Sequence, residues 1–456
     1  MSKLSKADKY LQRYSILKER RIFSRSLDGV ANTVVIPVLQ ERDSLFQTLA
    51  TLAKNPSADL LRTMVICVVN NRRPSLAGSE AIADNQETLA ILHGLIKNAV
   101  ISDSSDIKLK EYCEVIACSG LRLAAIDASS PGLEIADSEG GVGASRKIGM
   151  DAALMILTAQ GAGQGIISCL DADTLVEKNY LSAIAAFFRD NHCPAATAKY
   201  AHQKPASIDL LSAICRYEIF LRAYVIGLSF AASPYAFPSI GSTISCTAES
   251  YIAVRGMNRR AVAEDFHFLD KLAKLGNIGL IEGTTVHPSA RTSHRVAFGT
   301  GRKMLYFLEE GRDEYALYHT DIFIILGEWL AEVAANPDRS ADAIMKAAEN
   351  IHPLLHEYLT IARFPEKWDV MRKNCADPDH LRRQFHVWFD GLKTLKLVHH
   401  LDRSLYPPVA MFSGLKQLLQ MMKKEIPLLE NMPAGVPAPE TQFAILAELR
   451  TLFPAS

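Results

Sequence analysis

The sequence predicts an α/β protein, a sandwich with a mainly parallel central sheet, followed by a helical C-terminal region. Residues 31–300 alternate short β-branched apolar runs with stretches of helical periodicity, which is typical of strands alternating with helices. From residue 301 to residue 456, apolar residues recur at spacings of three and four, which predicts helices alone. Residues 1–30 form a basic arm with a helical pattern. We therefore expect three segments.

The composition indicates a globular protein, since 48% of the 456 residues are hydrophobic and 22% are charged. Fifty Lys and Arg residues balance fifty Asp and Glu residues, whereas a nucleic-acid binder usually has a basic excess. We therefore expect no nucleic-acid partner. The eight cysteines include no CxxC pair and lie mostly in apolar runs, which indicates buried thiols in a reducing compartment.

The targeting signals favour the cytoplasm. The first residues are polar and lack the apolar core of a secretory signal. The most apolar long stretch, Ala223–Cys246, is interrupted by prolines and serines, so we expect no transmembrane helix. The basic arm has eight Lys or Arg and three Asp or Glu residues, a net charge of +5. This charge fits either a solvated helix or peripheral contact with the inner face of an anionic membrane.

The elements of residues 31–300 follow from their apolar patterns. The runs expected to form buried strands are Thr33–Val38, Met64–Val69, Glu114–Ala117 and Gly165–Leu170. The stretches expected to form helices are Ser44–Lys54, Glu80–Asn98, Ala144–Thr158 and Glu177–Arg189. Ligands of such sheets bind at the carboxyl ends of the strands, so the residues after each strand are the first functional candidates.

The apolar spacing of the C-terminal region predicts a series of helices. They are expected at Asp321–Ala335, Ser340–Ile351, Leu354–Arg363, His380–Val398 and Ser413–Lys424, with a Pro-rich linker at Pro433–Pro439 before a last helix. The region could cover an acceptor site, form the interface of a homo-oligomer or dock on a membrane. The sequence does not choose among these roles.

The strongest chemical motif is Asp171-Ala172-Asp173, directly after the strand expected at Gly165–Leu170. Two carboxylates at the end of a parallel strand suit Mg²⁺ or Mn²⁺, which usually also bind substrate phosphates. The alternative is a polar turn in which Asp173 caps the next helix.

A second motif is the carboxylate pair Glu264-Asp265 at the start of a helical stretch. One of the two could act as a general base. Two acids at a helix N-terminus are also stabilised by the helix dipole alone, so both interpretations stay open at this point.

Two further stretches could bind anions. Glu139–Lys147 is a glycine-rich loop that enters a helix with Arg146 and Lys147, which favours an anion such as a diphosphate. His287–Arg295, continued by Phe298–Arg302, contains two histidines and three arginines. These side chains could supply a metal ligand and phosphate contacts, or they could form a solvated loop.

Together these motifs resemble the family 2 glycosyltransferases, whose fold is the GT-A type of Rossmann-like sandwich. Val34–Glu41 (VVIPVLQE) is similar to the family's opening strand, usually written V-x-I-P-x-x-N-E. The strand ending at Asn70, the helix entry Gly143–Arg146, the Asp-x-Asp motif and the Glu-Asp pair follow in the family's order. Gly241–Met257 is similar to its acceptor-side segment. The resemblance covers about residues 31–300.

The resemblance implies transfer of a sugar from a nucleotide-diphosphate sugar to an acceptor hydroxyl, with inversion. Asp173, with Asp171, would hold Mn²⁺ or Mg²⁺ against the diphosphate, and His294, preferred over His287, would complete the metal ligands. Asp265 would deprotonate the acceptor, and Glu264 would shape its surroundings.

The resemblance also implies the donor contacts. Pro37 and Glu41 would lie beside the base and ribose, and Arg146 near the diphosphate or ribose. Asn70 stands where the family commonly has an acidic residue that contacts the base. We expect a UDP-sugar in preference to a GDP-sugar. Gly241 would belong to the acceptor side of the substrate site, and the acceptor itself stays open.

Three other functions compete with this one. A retaining sugar transferase of the same fold, of the type that glycosylates glycerate or phosphoglycerate, would keep the Asp-x-Asp motif but would not need Asp265 as a base. A non-catalytic nucleotide-sugar-binding or scaffold protein would need neither, although carboxylates are costly to bury without partners. A nucleotidyltransferase ranks third, because its Gly-rich N-terminal signature is absent.

Overall fold

The computed structural model describes residues 4–71, 77–98, 106–136, 141–259, 263–293, 300–309, 315–430, 432 and 435–456. The chain forms two compact units, which are described separately below. The first comprises Met1–Gln203 and Ser239–Ser289, and the second comprises Lys204–Pro238 and Ala290–Ser456. Residues 204–238, which the sequence grouped with the first part, are therefore members of the helical unit.

The strands are, in chain order, β1 (Ile22–Ser24), β2 (Asn32–Val38), β3 (Thr63–Asn70), β4 (Arg122–Ala128), β5 (Ile166–Cys169), β6 (Leu175–Val176), β7 (Ala195–Tyr200), β8 (Ile244–Thr247), β9 (Ile278–His287), β10 (Ala316–Leu317) and β11 (Val409–Ala410).

The helices are α1 (Lys6–Tyr14), α2 (Arg42–Leu52), α3 (Ser57–Arg62), α4 (Ser79–Lys97), α5 (Ile107–Cys118), α6 (Val142–Ala159), α7 (Tyr180–Asp190), α8 (Ile208–Phe230), α9 (Ala248–Ala253), α10 (Glu264–Ala273), α11 (Thr300–Glu309), α12 (Thr320–Ala335), α13 (Ala341–Ile351), α14 (Pro353–Ile361), α15 (Phe364–Asn374), α16 (Pro378–Trp388), α17 (Gly391–Ser404), α18 (Met411–Met421), α19 (Pro427–Glu430) and α20 (Pro439–Leu452).

The first unit is built on one sheet of nine strands in the order β1-β4-β3-β2-β5-β8-β7-β9-β6. Strands β4, β3, β2 and β5 are parallel, as are β7 and β9, whereas β1, β8 and β6 pair antiparallel with their neighbours. The prediction of an α/β fold with a mainly parallel central sheet is confirmed. The carboxyl ends of the four adjacent parallel strands meet at one edge, where the predicted site residues follow them.

The centre of the sheet is buried on both faces. Strands β2 and β3 are buried almost throughout, which explains their continuous apolar sequences. Helix α6 approaches them closely, because a Cβ on Gly149 would come within 2.3 Å of Val35 Cγ1. Pro37 lies beyond the pairing of β2 with β5, which ends at Val35, so its missing N–H removes no bond to β5.

One predicted strand is wrong. Glu114–Ala117 belongs to helix α5, whose buried residues Leu109, Cys113 and Ile116 have the spacing of one helical face. The strand of this part of the chain is instead β4, whose sequence RLAAIDA has little β-branched character and gave no strand signal. Its pairing with β3 along its length, and not its local propensity, makes it a strand.

The second unit is helical, with an aromatic core. Trp329, Phe364, Trp368, Phe385 and Phe389 are all nearly inaccessible and belong to one cluster. A second apolar cluster joins α8 to α18 and α20. Within the described ranges, no helix is long and apolar enough to cross a membrane.

Two details of this unit correct the sequence prediction. The single helix expected at His380–Val398 is two helices, α16 and α17, because Asp390 interrupts it and caps α17 through the Lys393 amide at 3.0 Å. Helix α15 was not predicted. It begins after Arg363, whose φ of 55° is in the left-handed region. The backbone therefore breaks between α14 and α15, and the apolar spacing of α14 does not run on into α15.

Candidate active site

The Asp-x-Asp motif forms a turn directly after β5, at the carboxyl edge of the sheet. The Asp171 carbonyl accepts the Thr174 amide at 3.1 Å, and the Ala172 carbonyl accepts the Thr48 hydroxyl of α2 at 2.9 Å. The Gln203 side chain donates to the carbonyls of Asp173 at 3.1 Å and His287 at 2.8 Å. The turn is thus held from two sides, while 33% of the Asp171 side chain stays exposed.

Arg146, on the second turn of α6, connects this motif to the carboxylate pair. Its guanidinium is almost completely buried and donates to Asp171 Oδ1 and to Glu264 Oε1. Gly241 leaves room for it, since a Cβ at that position would lie 2.1 Å from Arg146 Nη2. The predicted residues Arg146, Asp171, Glu264 and Gly241 therefore lie together, although Arg146 is bound by carboxylates of the protein itself.

The carboxylate pair opens helix α10. Glu264 is 5% exposed, and burial raises its pKa, an effect that Arg146 opposes and the Asp265 charge reinforces. Burial likewise raises the pKa of Asp265, against the charge of Arg146. Asp265 is partly exposed and its Oδ1 accepts the Phe266 amide at 2.7 Å. Of the two acids, Glu264 is held in an ion pair and Asp265 is the more accessible.

A network of side-chain amides joins the ends of β2, β3 and β4. Asn85 of α4, which is fully buried, accepts the Gln40 amide at 2.8 Å and donates to the Asn70 carbonyl at 3.1 Å and to Asn71 Oδ1 at 2.5 Å. Asn71 in turn donates to the Ser129 carbonyl at 3.4 Å. The side chain of Asn70 makes no hydrogen bond to the described residues, and only 4% of the residue is exposed.

Pro37 and Glu41 lie at the same edge as this network. Pro37 is buried near the end of β2, and Glu41 is the partly buried residue that precedes α2. The two positions predicted to lie beside the base and ribose are thus at the end of a single strand, β2, next to the end of β3 that carries Asn70.

The two candidate histidines differ. His294 lies outside the described residues, as do Glu139 and Gly140 of the glycine loop. His287 ends β9, and its ring nitrogens lie 3.1 Å from the Ala201 carbonyl and 2.8 Å from Glu177 Oε1. His287 could bind a metal only by giving up one of these contacts.

Two carboxylates at the turn, Asp171 and Asp173, are hard oxygen donors that fit Mg²⁺ or Mn²⁺. Asp171 already accepts from Arg146, so a cation there would share this carboxylate with the guanidinium. No cluster of three or more His, Cys, Asp or Glu side chains that could hold a metal occurs within the described ranges. A cation held by Asp171 and Asp173 would also take ligands from a bound diphosphate, which is common for Mg²⁺.

Sequence reasoning missed several residues that build the site. Gln203 carries no motif, and only its contacts reveal its role. Asn85 could have been noticed, because it falls on the buried stripe of α4 together with Thr88, Leu89 and Leu92. A polar residue on an apolar helix face is expected to have a specific partner.

Residues 166–296 match the family model described as glycosyl transferase family group 2. The matched segment contains the Asp-x-Asp turn, the Glu264-Asp265 pair and Gly241. The match confirms the predicted resemblance to the family 2 glycosyltransferases for this segment, and it confirms the class of enzyme, a glycosyltransferase. No curated protein matches the chain.

Solved structures with similarity include S. aureus TarS 1–349 in complex with UDP, at 15% identity and a TM-score of 0.33, with 77% of this chain and 89% of that chain covered. The corresponding complex with UDP-GlcNAc has 14% identity and a TM-score of 0.34, with 77% and 90% covered. TM-scores this low do not establish a common arrangement of the two chains.

Proposed function

We propose that the chain transfers a sugar from a nucleotide-diphosphate sugar to an acceptor hydroxyl, in a metal-dependent reaction with inversion. The observation that carries the proposal is the Asp171–Arg146–Glu264 connection. It brings the Asp-x-Asp turn, which suits a metal and a diphosphate, next to the carboxylate pair, which suits proton transfer. Both halves of a glycosyl transfer then have candidate residues in one place.

Asp173 and Asp171 are the residues that would hold the cation. Bound Mn²⁺ or Mg²⁺ would neutralise charge on the departing nucleoside diphosphate. The chain's own contribution is to fix the turn, through the Gln203 and Thr48 hydrogen bonds to its carbonyls. Arg146 holds the Asp171 carboxylate in place and reduces the repulsion between Asp171 and Glu264.

Asp265 is the proposed general base. It accepts the proton of the acceptor hydroxyl while that oxygen attacks the anomeric carbon, and the bond from this carbon to the diphosphate oxygen breaks. A raised pKa favours proton uptake, because a more basic carboxylate is a better acceptor. Glu264, held by Arg146, sets the charge around Asp265.

The amide network is the proposed base-binding end. Asn70 offers an amide donor and acceptor at the end of β3, and Asn85 and Gln40 fix the backbone around it. The Asn70 amide could pair with the donor and acceptor atoms of uracil or of guanine. A UDP-sugar is the first donor to test, ahead of a GDP-sugar, on the strength of the family resemblance. We also propose a cytoplasmic location, peripheral contact with a membrane and assembly into a homo-oligomer.

The test is thermal stabilisation of the purified chain by UDP, GDP, ADP and CDP, each with and without Mn²⁺. A ligand that binds only the folded state raises the melting temperature by mass action. We expect one nucleotide to stabilise the chain only with Mn²⁺, and Asp173→Ala to abolish the effect. Asp190→Ala, at an exposed surface ion pair, is the matched control and should behave as wild type. Failure of every nucleotide would contradict the donor assignment and favour a scaffold role.

A further inference from the structure

The basic N-terminal arm is packed into the first unit at its helix and at the segment that follows. Tyr10 of α1 is 3% exposed, and Ile16 and Leu17 are buried as well. Farther along, β1 adds to the edge of the sheet by antiparallel pairing with β4. The segment from Ser5 to Ser24, called the N-terminal strap here, therefore follows the body of the unit along its length.

The strap supplies partners to a buried charge on α6. Asp151, which has no exposed surface, accepts the hydroxyls of Tyr10 at 2.8 Å and Tyr251 at 2.7 Å, the amide of Ile16 at 2.9 Å and the ammonium of Lys147 at 3.1 Å. Two of these four donors come from the strap. Because a buried carboxylate without partners is costly, α6 depends on the strap to satisfy Asp151.

The same tyrosine also contacts the residue next to Arg146. The Lys147 ammonium, 4% exposed, donates to the Tyr10 hydroxyl at 2.8 Å. Gly256, with a φ of 73°, is required at this point, since a Cβ there would lie 2.0 Å from the Tyr10 oxygen. Tyr10 is therefore closely packed by helix α6, by Tyr251 and by Gly256.

A second contact of the strap lies at the other side of the β4–α6 connection. Buried Arg20 donates to the carbonyls of Leu133 at 2.9 Å and Glu134 at 3.0 Å. Tyr10 contacts α6 at Lys147 and Asp151, in the second and third turns of the helix, and Arg20 holds the chain that leaves β4. The segment carrying Arg146 is thus bound by the strap on both sides.

We propose that the N-terminal strap is a positioning element of the candidate active site, in which Tyr10 and Arg20 fix the first turns of α6 and thereby the Arg146 guanidinium between Asp171 and Glu264. The expected effect of the strap on binding of the nucleotide donor rests on the proposed function. Its effect on α6 is independent of that function. Neither Tyr10 nor Arg20 needs to touch a substrate.

The test compares Tyr10→Phe and Arg20→Gln with the wild type and with Tyr14→Phe. Tyr10→Phe removes one hydroxyl and keeps the ring that packs on Tyr251 at 5.5 Å. Tyr14 is on the same helix and its hydroxyl makes no hydrogen bond to the part of the chain that the structure describes, so Tyr14→Phe is the matched control. Two readouts are needed: amide hydrogen exchange of peptides from residues 142–151, and the Kd for UDP with Mn²⁺.

We expect exchange in the first turns of α6 to become about tenfold faster in Tyr10→Phe and Arg20→Gln, the size expected for one buried hydrogen bond, with α4 and Tyr14→Phe unchanged. We expect the Kd for UDP to rise about five- to tenfold in the same two variants.

Unchanged exchange in α6 would overturn the inference, whether or not the wild type binds UDP. Faster exchange with an unchanged Kd would also overturn it, because the strap would then be only structural. A wild type that binds no nucleotide would contradict the proposed function, and the exchange result would still decide the positioning role.

Discussion

Adjacent residues of α6 enter two different buried networks. Arg146 contacts Asp171 and Glu264, and a third of the Asp171 side chain is exposed. Lys147 contacts Tyr10 and Asp151, and Asp151 is completely buried. The first network has an accessible side at the carboxyl edge of the sheet, whereas the second is enclosed by helices. A charged cluster with an accessible carboxylate can exchange a partner for a ligand, whereas an enclosed cluster can act only through the residues that it positions.

The helical unit provides another enclosed network. Glu218 accepts Arg222 Nε at 2.8 Å and Arg450 at 2.7 and 2.8 Å, and both Glu218 and Arg222 are almost inaccessible. These groups join α8 to α20. Like the Lys147 network, it is buried and contains an i, i+4 ion pair. It differs from the Arg146 network, in which the Asp171 carboxylate is partly exposed.

The largest effect is expected from Arg146→Met. This change leaves Glu264 buried without its ion pair, so the free energy of unfolding should fall by about 3–5 kcal/mol at neutral pH. Urea denaturation measures the change. Arg189→Met, which removes an exposed pair with Asp190, should alter the free energy by no more than about 0.5 kcal/mol. A loss below about 1 kcal/mol for Arg146→Met would show that the network does not hold the site together.

Gly241→Ala should displace the guanidinium without removing its charge. The new Cβ would overlap Arg146 Nη2, and overpacking of this kind typically costs about 1–3 kcal/mol of folding free energy. We also expect nucleotide stabilisation to weaken in thermal-shift assays. Gly163→Ala is the control, since no atom lies within 4 Å of its added Cβ. Equal stability of the two variants would show that the Arg146 guanidinium does not pack tightly against Gly241.

Asn85→Ala should lower stability by about 1–3 kcal/mol, because the Gln40 amide and the Asn70 carbonyl lose a buried partner. Selectivity among UDP, GDP, ADP and CDP should decrease, as measured by the spread of their dissociation constants. Asn191→Ala, on the exposed end of α7, should change neither quantity. Retained selectivity in Asn85→Ala would separate the amide network from base recognition.

The pH dependence of stability tests the charge state of Glu264. Its pKa in the folded chain is raised, so folding holds the proton more tightly, and the associated stability is complete below the ordinary carboxyl pKa. It is lost as the pH rises through the higher folded value. Between about pH 4 and pH 8, the wild type should therefore lose stability relative to Glu264→Gln in urea denaturation. A relative gain would mean that Arg146 outweighs burial.

The smallest effect is expected from replacing Lys6, Lys9 and Arg13 with Gln. All three are exposed on α1, so the free energy of unfolding should change by less than about 0.5 kcal/mol. Cosedimentation with anionic vesicles should weaken, since each basic residue near such a surface contributes about 1 kcal/mol. Absence of vesicle binding by the wild type would refute peripheral membrane contact and leave the strap's buried contacts unaffected.

The sequence predicted the parallel core and most helices because apolar periodicity reports burial directly. It did not predict β4, whose identity depends on pairing with β3, or the break at Asp390 between α16 and α17. It identified Arg146, Asp171 and Glu264 as separate candidates. Arg146 and Glu264, which are in contact, lie 118 positions apart in the sequence, and no local pattern encodes such a pairing. Tyr10 was missed for the same reason.

The most direct test of the central claim is hydrolysis of UDP- and GDP-sugars in Mn²⁺, in which water replaces the acceptor hydroxyl and takes up the sugar as the nucleoside diphosphate is released. The wild type is compared with Asp265→Asn. We predict release by the wild type with one donor, and a rate about 10²- to 10⁴-fold lower in Asp265→Asn, the usual contribution of a general base. The affinity for the nucleotide should be unchanged in that variant. Release that is equal in both proteins, or absent from both with every donor, would contradict the assignment of this site to glycosyl transfer.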